Sequence, residues 1–341
     1  MSKRAVLLMN LGSPDSPAVG DVARYLREFL LDVRVIDKGP VLRNLLVRGI
    51  IVPRRAPKSA AAYASVWTPG GSPLVVTSRR QQALLAEAVG LPVYLAMRYG
   101  NPGVDAALDA MRRDGITDLF VIPLYPQYAM SSWETAVVHF EERLAASGLS
   151  LRVGVLQPFY ADKDYIAALA ASARKHLARP HDHVLFSFHG VPRRHLAKAD
   201  SSHAHCLCVA DCCNRESPVQ STCYRHQCLA TARLAAAAMG IPGGRWSVSF
   251  QSRLGREEWL RPYTVDHLEA LARSGVRRLL VLTPAFVSDC LETLEEIAVE
   301  GAAHFRQVGG EDLAMVPCLN DHPDWIAFLA SKVKAWAAAS S

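Results

Sequence analysis

With 341 residues, 50% of them hydrophobic, the chain can bury a sizeable core as one large or two medium domains, which excludes intrinsic disorder. Its formal charge of +6 is spread along the chain and interrupted by acids, so no nucleic-acid surface is indicated, while anionic ligands and lipid headgroups remain suitable partners. No segment reaches the roughly 18–20 apolar residues of a membrane span, and the apolar run Ala5 to Met9 is too brief for a signal peptide, so the expected location is cytoplasmic.

Short apolar runs that read as strands occur at Ala5 to Met9, Pro92 to Met97, Leu119 to Pro123, Leu151 to Leu156, Val184 to Phe188, Trp246 to Phe250, Leu279 to Thr283 and Leu313 to Val316. Helix-period segments lie between and after them: Arg79 to Val89, Val104 to Arg113, Tyr165 to Ala178, Leu229 to Met239, Val265 to Ser274 and Trp325 to Ala339. Strands alternating with helices predict an α/β fold with parallel sheets and right-handed crossovers.

The chain also matches itself. At a shift of 160 residues, Pro102 falls on Pro262, Leu108 on Leu268, Gly115 on Gly275, Leu119 on Leu279 and Asp164 on Asp324. At a shift of 178, Gly12 and Pro14 fall on Gly190 and Pro192, so the first half is 18 residues longer between those points. The expectation is two similar Rossmann-like lobes, about 1–160 and 161–341, each a four-stranded parallel sheet flanked by helices. Strand carboxyl ends, with L-G-S-P in one lobe and H-G-V-P in the other, should then meet at a shared cleft.

His189 ends the run V-L-F-S-F-H, opposite Leu11 in the internal alignment. A lone histidine is more often a packing or turn residue. Here only the second half carries an ionisable group at that strand tip, which favours a functional role. After the strand Leu279 to Thr283, Ser288 or Asp289 can cap a helix on which Glu292, Glu296 and Glu300 recur every four residues, with Glu295 nearby. Such acids also suit a solvated helix face; beginning at a strand end, they suit a cation path or an acid–base line, with His189 as partner. The segment Val41 to Arg55 mixes apolar residues with arginines, as an amphipathic helix does whether it packs on its own lobe or touches a membrane surface. Finally, six of the eight cysteines fall between Cys206 and Cys228, which argues for metal or cluster ligation before disulfides in a chain without an export signal.

These residues resemble the ferrochelatases, which insert ferrous iron into a porphyrin. The likeness runs through N-L-G-S-P at 10–14, G-G-S-P-L at 70–74, M-R-Y-G at 97–100, P-L-Y-P-Q-Y at 123–128, F-S-F-H-G-V-P at 186–192, Q-S-R-L-G at 251–255 with Trp259, and S-D-C-L-E-T-L-E-E at 288–296. The resemblance implies His189 and Glu292 as proton-transfer and metal residues, with Glu296 and Glu300 continuing the acidic line. It implies Leu11, Arg98, Tyr125, Tyr128 and Trp259 as the porphyrin wall and a lip at about 30–60, whose apolar face would give a weak peripheral contact at the inner membrane surface. A monomer or homodimer is expected. Cys290 stands where animal members have a second histidine, and Asp15 where relatives acting on coproporphyrin have tyrosine, so protoporphyrin IX is the implied substrate. The rivals are a chelatase inserting cobalt or nickel into a more acidic tetrapyrrole and a two-lobed haem or siderophore binding protein.

Some ferrochelatases hold a [2Fe-2S] cluster on four cysteines, and residues 200–223 look like an insertion carrying one. Cys206, Cys208, Cys212, Cys213 and Cys223 are its candidate ligands, one of them spare, with Cys228 the least suited. Zn²⁺ on the same thiolates, with His203 or His205, is the alternative, and a reduced-thiol loop the plainest reading.

Overall fold

A computed structural model describes residues 3–253, 255 and 257–339. The chain divides into two compact units, one of residues 1–124, 130–157 and 326–341 and the other of 125–129 and 158–325.

In the first unit, strands β1 (Arg4–Ser13), β2 (Val93–Gly100), β3 (Asp118–Pro123) and β4 (Arg152–Val155) form a parallel sheet of order β2-β1-β3-β4. Ala5, Val6, Leu7, Leu8 and Met9 are all fully buried, as a central strand covered on both faces requires. Each of the four larger side chains contributes roughly 1.5–3 kcal/mol on leaving water. Helices α1 (Val19–Leu31), α2 (Pro40–Asn44), α3 (Val52–Val66), α4 (Pro73–Val89), α5 (Val104–Asp114) and α6 (Thr135–Ser147) complete it. Helix α4 starts six residues before the periodic run predicts, because Pro73 sits in its first turn, where the missing N–H costs nothing. A π-helical stretch, Leu45–Ile51, joins α2 to α3.

The second unit repeats the plan. Strands β5 (His183–His189), β6 (Trp246–Gln251), β7 (Arg278–Leu282) and β8 (Asp312–Met315) form a parallel sheet of order β6-β5-β7-β8. Its helices are α7 (Lys163–Leu177), α8 (Arg193–Ala199), α9 (Tyr224–Ala238), α10 (Thr264–Arg273), α11 (Leu291–Leu294) and α12 (Ala302–Gln307), followed in sequence by α13 (Pro323–Ala339). One face of β5 packs Val184, Phe186 and Phe188 with Tyr224, Cys228, Ala232 and Phe250; Leu185 packs on the other face with Leu268, Val281 and Phe305. The last helices trade places: α7 follows β4 in sequence yet groups with the second unit, and α13 from Ile326 onward groups with the first. In the first unit Trp336 stacks on Phe120 at 5.3 Å, over Gly154, where any Cβ would lie 2.9 Å from the indole nitrogen.

The internal repeat also shows in detail. Met97 N–H donates to the Pro102 carbonyl at 2.6 Å, and Phe250 N–H to the Pro262 carbonyl at 2.9 Å. Both prolines, matched by the 160-residue shift, follow cis peptide bonds.

Candidate active site

His189 is the last residue of β5 and pairs with Gln251 at the end of β6. Its Nδ1 lies 2.6 Å from the Gly190 carbonyl oxygen. A carbonyl can only accept, so Nδ1 carries a proton, and in the neutral ring Nε2 then keeps the lone pair that takes up a proton or binds a metal. The backbone at this turn is close-packed: a Cβ on Gly190 would meet the Gln251 carbonyl oxygen at 2.7 Å and the Trp259 ring at 3.1 Å. Glycine is therefore required beside the histidine. Trp259, 9% exposed, and Phe286 flank the imidazole at ring-centroid distances of 6.5 and 6.2 Å. The Trp259 indole N–H has no hydrogen-bond partner among the described residues.

The acids come from the helix after β7. Its first turn is capped by Cys290, whose sulfur accepts from the Thr293 N–H while Thr293 Oγ1 accepts from the Cys290 N–H at 3.0 Å. Ser288 and Asp289, the sequence-based cap candidates, do not cap it. Asp289 is drawn to the segment after β8, accepting from Cys318 N–H at 3.1 Å and Asn320 Nδ2 at 2.6 Å. Beyond α11 the helix widens into a π-helical stretch, Glu296–Gly301, with Glu300 N–H donating to Glu295 O at 2.8 Å.

Glu296 is the best-held carboxylate. Ser252 gives it both a backbone N–H at 2.8 Å and a hydroxyl at 2.5 Å, and Gln251 Nε2 approaches at 3.4 Å while donating to the Glu292 carbonyl at 2.8 Å. Gln251 is fixed in turn by Ser187, which donates to its Oε1 at 2.8 Å and pairs with Thr264 at 3.0 Å. Burial, the largest influence, pushes the Glu296 carboxyl up and the Glu292 charge adds to it; Ser252 and His189 pull it back. His189 and Glu292 therefore both act electrostatically on Glu296, whereas Glu300 lies exposed at the far end of the wide turn. Among the described residues no group of three or more His, Cys, Asp or Glu side chains is arranged to hold one ion.

The other sequence-derived positions fall as follows. Tyr125 is buried and Tyr128 half-buried in the second unit, the latter's N–H donating to Gln227 Oε1 at 2.7 Å. Leu11 is half-buried in the first unit. Arg98 donates to Asp32 at 2.5 Å and to Thr135 at 2.8 Å in that same unit. Leu254 of the Q-S-R-L-G motif lies outside the described residues. Ser252, Gln251, Phe286 and Tyr224 are site residues that pattern reading misses. Only the Q-S-R-L-G motif points toward the first two.

The cysteine segment sorts its thiols. Cys206, Cys212, Cys213 and Cys223 are buried, each no more than 6% exposed, while Cys208 is exposed. Cys223 is the shared partner: hydrogen bonds from Cys213 and Cys206 hold its thiol below the usual range against burial, while burial and then Cys223 push the Cys206 thiol up, and the bond to Cys223 and then burial push up that of Cys213. Asp200, 1% exposed, organises the loop by accepting from the N–H groups of Ser202, His205 and Cys206 at 2.7–2.9 Å. His203, Leu207 and Asp211 adopt positive φ without being glycine, which costs of order 1–3 kcal/mol each.

Paired four-stranded parallel sheets with an imidazole and carboxylates at one strand end make this a chelatase-like α/β protein. The fold matches the solved structure of SirB from Bacillus subtilis with Fe3+ at a TM-score of 0.55 and 13% identity, over 99% of this chain and 97% of that one. It matches the sirohydrochlorin chelatase SirB from Bacillus subtilis subspecies spizizenii in complex with cobalt at 0.52, likewise 13% identical, over 97% and 94%. At that identity the likeness concerns fold alone. The ferrochelatase family model matches residues 3–336. Ferrochelatase of Opitutus terrae is 57% identical over 100% of this chain and 99% of its own length, and that of Azotobacter vinelandii 55% over 97% and 98%. The chain belongs to the ferrochelatase family, the lyases that insert iron into porphyrin; the cobalt or nickel chelatase and binding-protein alternatives are not favoured.

Proposed function

We propose that this enzyme inserts Fe²⁺ into protoporphyrin IX, releasing two protons, with His189 and Glu292 as the reacting side chains. The observation that carries the assignment is the 2.6 Å contact of His189 Nδ1 with the Gly190 carbonyl: it engages the Nδ1 proton, so that in the neutral ring Nε2 can receive a pyrrole proton or a metal bond. Glu296, raised by burial and coupled to both His189 and Glu292, can accept that proton and pass it along the helix toward exposed Glu300. Ferrous iron would travel the same acids in the opposite direction. A metal that must be delivered needs ligands that release it, which suits an open line of carboxylates better than a closed cage. Trp259, Tyr125 and Tyr128 in the second unit would offer ring surface on which the macrocycle is bent so that its nitrogen lone pairs meet the iron, and Leu11 and Arg98 are the porphyrin-contact candidates of the first unit. Asp15 supports protoporphyrin over coproporphyrin: it accepts from Asn101 at 2.8 Å and Arg24 at 3.2 Å and offers no aromatic surface.

The lip supports a peripheral contact of a cytoplasmic enzyme with the membrane surface. Among the described residues no helix is long and apolar enough to cross a bilayer. Yet Val41, Leu42, Leu45 and Ile50 are 42–83% exposed among Arg43, Arg48, Arg54 and Arg55, a pattern that suits an anionic lipid interface.

Four buried thiols in one segment support a [2Fe-2S] cluster, which takes one pair of thiolates per iron and would supply one-electron redox chemistry; Cys206, Cys212, Cys213 and Cys223 would hold it, with Cys208 spare. Iron and sulfide analysis with a visible spectrum tests this: Cys223→Ser should lose the cluster and Cys208→Ser keep it. Zinc without sulfide would establish the alternative. For the reaction, anaerobic incubation with ferrous iron and protoporphyrin IX should yield haem in the parent and not in His189→Ala. Porphyrin binding without turnover in the parent would overturn the assignment.

A further inference from the structure

The mechanism leaves unused a buried phenol that joins the cysteine segment to the catalytic strand. Tyr224 is 6% exposed, and its hydroxyl donates to the backbone carbonyl of His189 at 2.8 Å across 35 residues of sequence. Tyr224 is also the first residue of α9, directly after its N-cap, Cys223. The first turn of α9 grips the cysteine segment at further points. His226 Nδ1 lies 2.7 Å from the Cys213 carbonyl, and Gln227 Nε2 donates to the carbonyls of Gln220 and Ser221 at 3.1 and 2.8 Å. One turn on, the Cys228 thiol is in hydrogen-bond reach of the Tyr224 oxygen, whose own proton is committed to His189.

A single helical turn thus touches the thiols at one end and the backbone of the proton-accepting histidine at the other. The His189 imidazole is itself tied to the adjacent peptide through Gly190 O, so a displaced carbonyl alters the ring's setting as well as its position. Packed cores respond to such displacements as units, because fully buried neighbours such as Phe188, Cys228 and Ala232 leave no slack.

We propose that Tyr224 is a positioning residue through which the state of the cysteine centre sets the metal affinity of His189. The idea rests on the cysteine-centre reading above. Loading the centre fixes the Cys206, Cys213 and Cys223 backbones, seats the first turn of α9, and places the tyrosine hydroxyl on the His189 carbonyl; emptying it lets that turn relax. Coupling of this kind is reciprocal, so porphyrin or metal at His189 must stabilise the loaded centre by the same factor.

The test compares the parent with Tyr224→Phe, which keeps the buried ring and removes the hydroxyl. Iron, sulfide and zinc contents are measured first, on both. With the centre loaded and then stripped by chelator, two quantities are read: the apparent KM for ferrous iron against kcat, and the imidazole ¹⁵N resonances assigned to His189 by their loss in His189→Ala. In the parent, stripping should raise the KM by about fivefold or more with a smaller change in kcat, and should move the His189 signals. In Tyr224→Phe the centre should remain loaded while both responses vanish. Full responses in Tyr224→Phe, or none in a loaded parent, would overturn the proposal. Should the parent carry neither cluster nor zinc, the centre reading fails by itself. The link is then judged by oxidising the thiols to a disulfide with a diazene reagent: His189 signals that move in the parent but not in Tyr224→Phe sustain it, and any other pattern refutes it. His226→Gln, which loosens the grip on Cys213 O and keeps the hydroxyl, should show a weakened response and guards against misfolding of the phenylalanine variant.

Discussion

Replacing Ser252 should shift the pH dependence of catalysis without touching a reacting atom. Ser252 supplies Glu296 with a 2.5 Å hydroxyl bond and a 2.8 Å N–H bond, and its side chain is the strongest influence opposing the upward push of burial on that carboxyl. A hydrogen bond to a charged group is worth about 1.5–3 kcal/mol. At 1.36 kcal/mol per pH unit, Ser252→Ala should raise the Glu296 pKa by roughly 1–2 units. The ionised carboxylate is the form that accepts protons and iron, so activity should fail at higher pH than in the parent. The assay is kcat/KM for anaerobic iron insertion, followed by loss of porphyrin fluorescence across pH. The acid limb should move toward neutrality by about 1–2 units while the alkaline side holds. The backbone gives an internal control, since Ser252 sits at φ +66. Glycine relieves roughly 1–2 kcal/mol of left-handed strain and still lacks the hydroxyl, so Ser252→Gly should share the pH shift yet unfold at higher denaturant than Ser252→Ala. An unmoved acid limb in both variants would refute the assignment of Glu296 as the proton-accepting carboxylate.

Two further outcomes concern stability. Asp32, with its side chain 4% exposed, accepts from Arg98, Tyr99, Thr135 and the Arg34 N–H at 2.5–2.8 Å; Asp32→Asn strands the arginine and should cost about 3–5 kcal/mol in urea unfolding, against less than about 1 kcal/mol for breaking the exposed Arg273–Glu269 pair. His183 and His267 share the Ser247 hydroxyl at 2.8 and 2.9 Å, and burial pulls both down, His183 to about 4. The unfolded chain then binds protons first, so stability is complete above about pH 6.5, falls as pH drops toward 4 and levels off below; His183 accounts for about 3 kcal/mol of that fall, which His183→Asn should remove from the pH dependence of unfolding.

Strands and halves were legible because a buried parallel strand must be apolar along its length, and β1, β3, β5 and β7 are. Helix starts were not: α4 begins at a proline, and the acidic helix at a cysteine, neither of which periodicity marks. The charged candidates stand out in the sequence because each breaks an apolar or periodic pattern. Ser252, Gln251 and Tyr224 break none. Their importance comes from contacts made 35 to 45 residues away in sequence, which one-dimensional spacing does not contain.

The duplication explains why the described carboxylate site belongs to the second half. Under the two shifts, His189 corresponds to Leu11, and Glu292, Glu296 and Glu300 to Ser132, Ala136 and Phe140, the last two fully buried. Gln251 corresponds to Arg98, between the paired positions Asn10–Met97 and Gly12–Tyr99. The turn glycines keep one role in both halves: a Cβ on Gly12 would strike Tyr99 O at 1.8 Å, as one on Gly190 would strike Gln251 O at 2.7 Å. What differs is the connection that follows. Met97 and Pro102, joined by a backbone hydrogen bond, are five positions apart; their counterparts Phe250 and Pro262 are twelve apart. The added length contains Ser252, which holds Glu296, and Trp259, which flanks His189. It is tied down by Pro192 bridging to Trp259 and by Arg193 donating to Glu258 at 2.7 Å. A lengthened loop thus supplied both the hydroxyl that keeps a buried carboxyl ionisable and the ring beside the imidazole. Shortening it to the first half's length should leave the β5–β6 pairing intact, since Phe250 N–H to Pro262 O has its equivalent there, while abolishing metal insertion. Loss of folding on that deletion would show instead that the loop is part of the core.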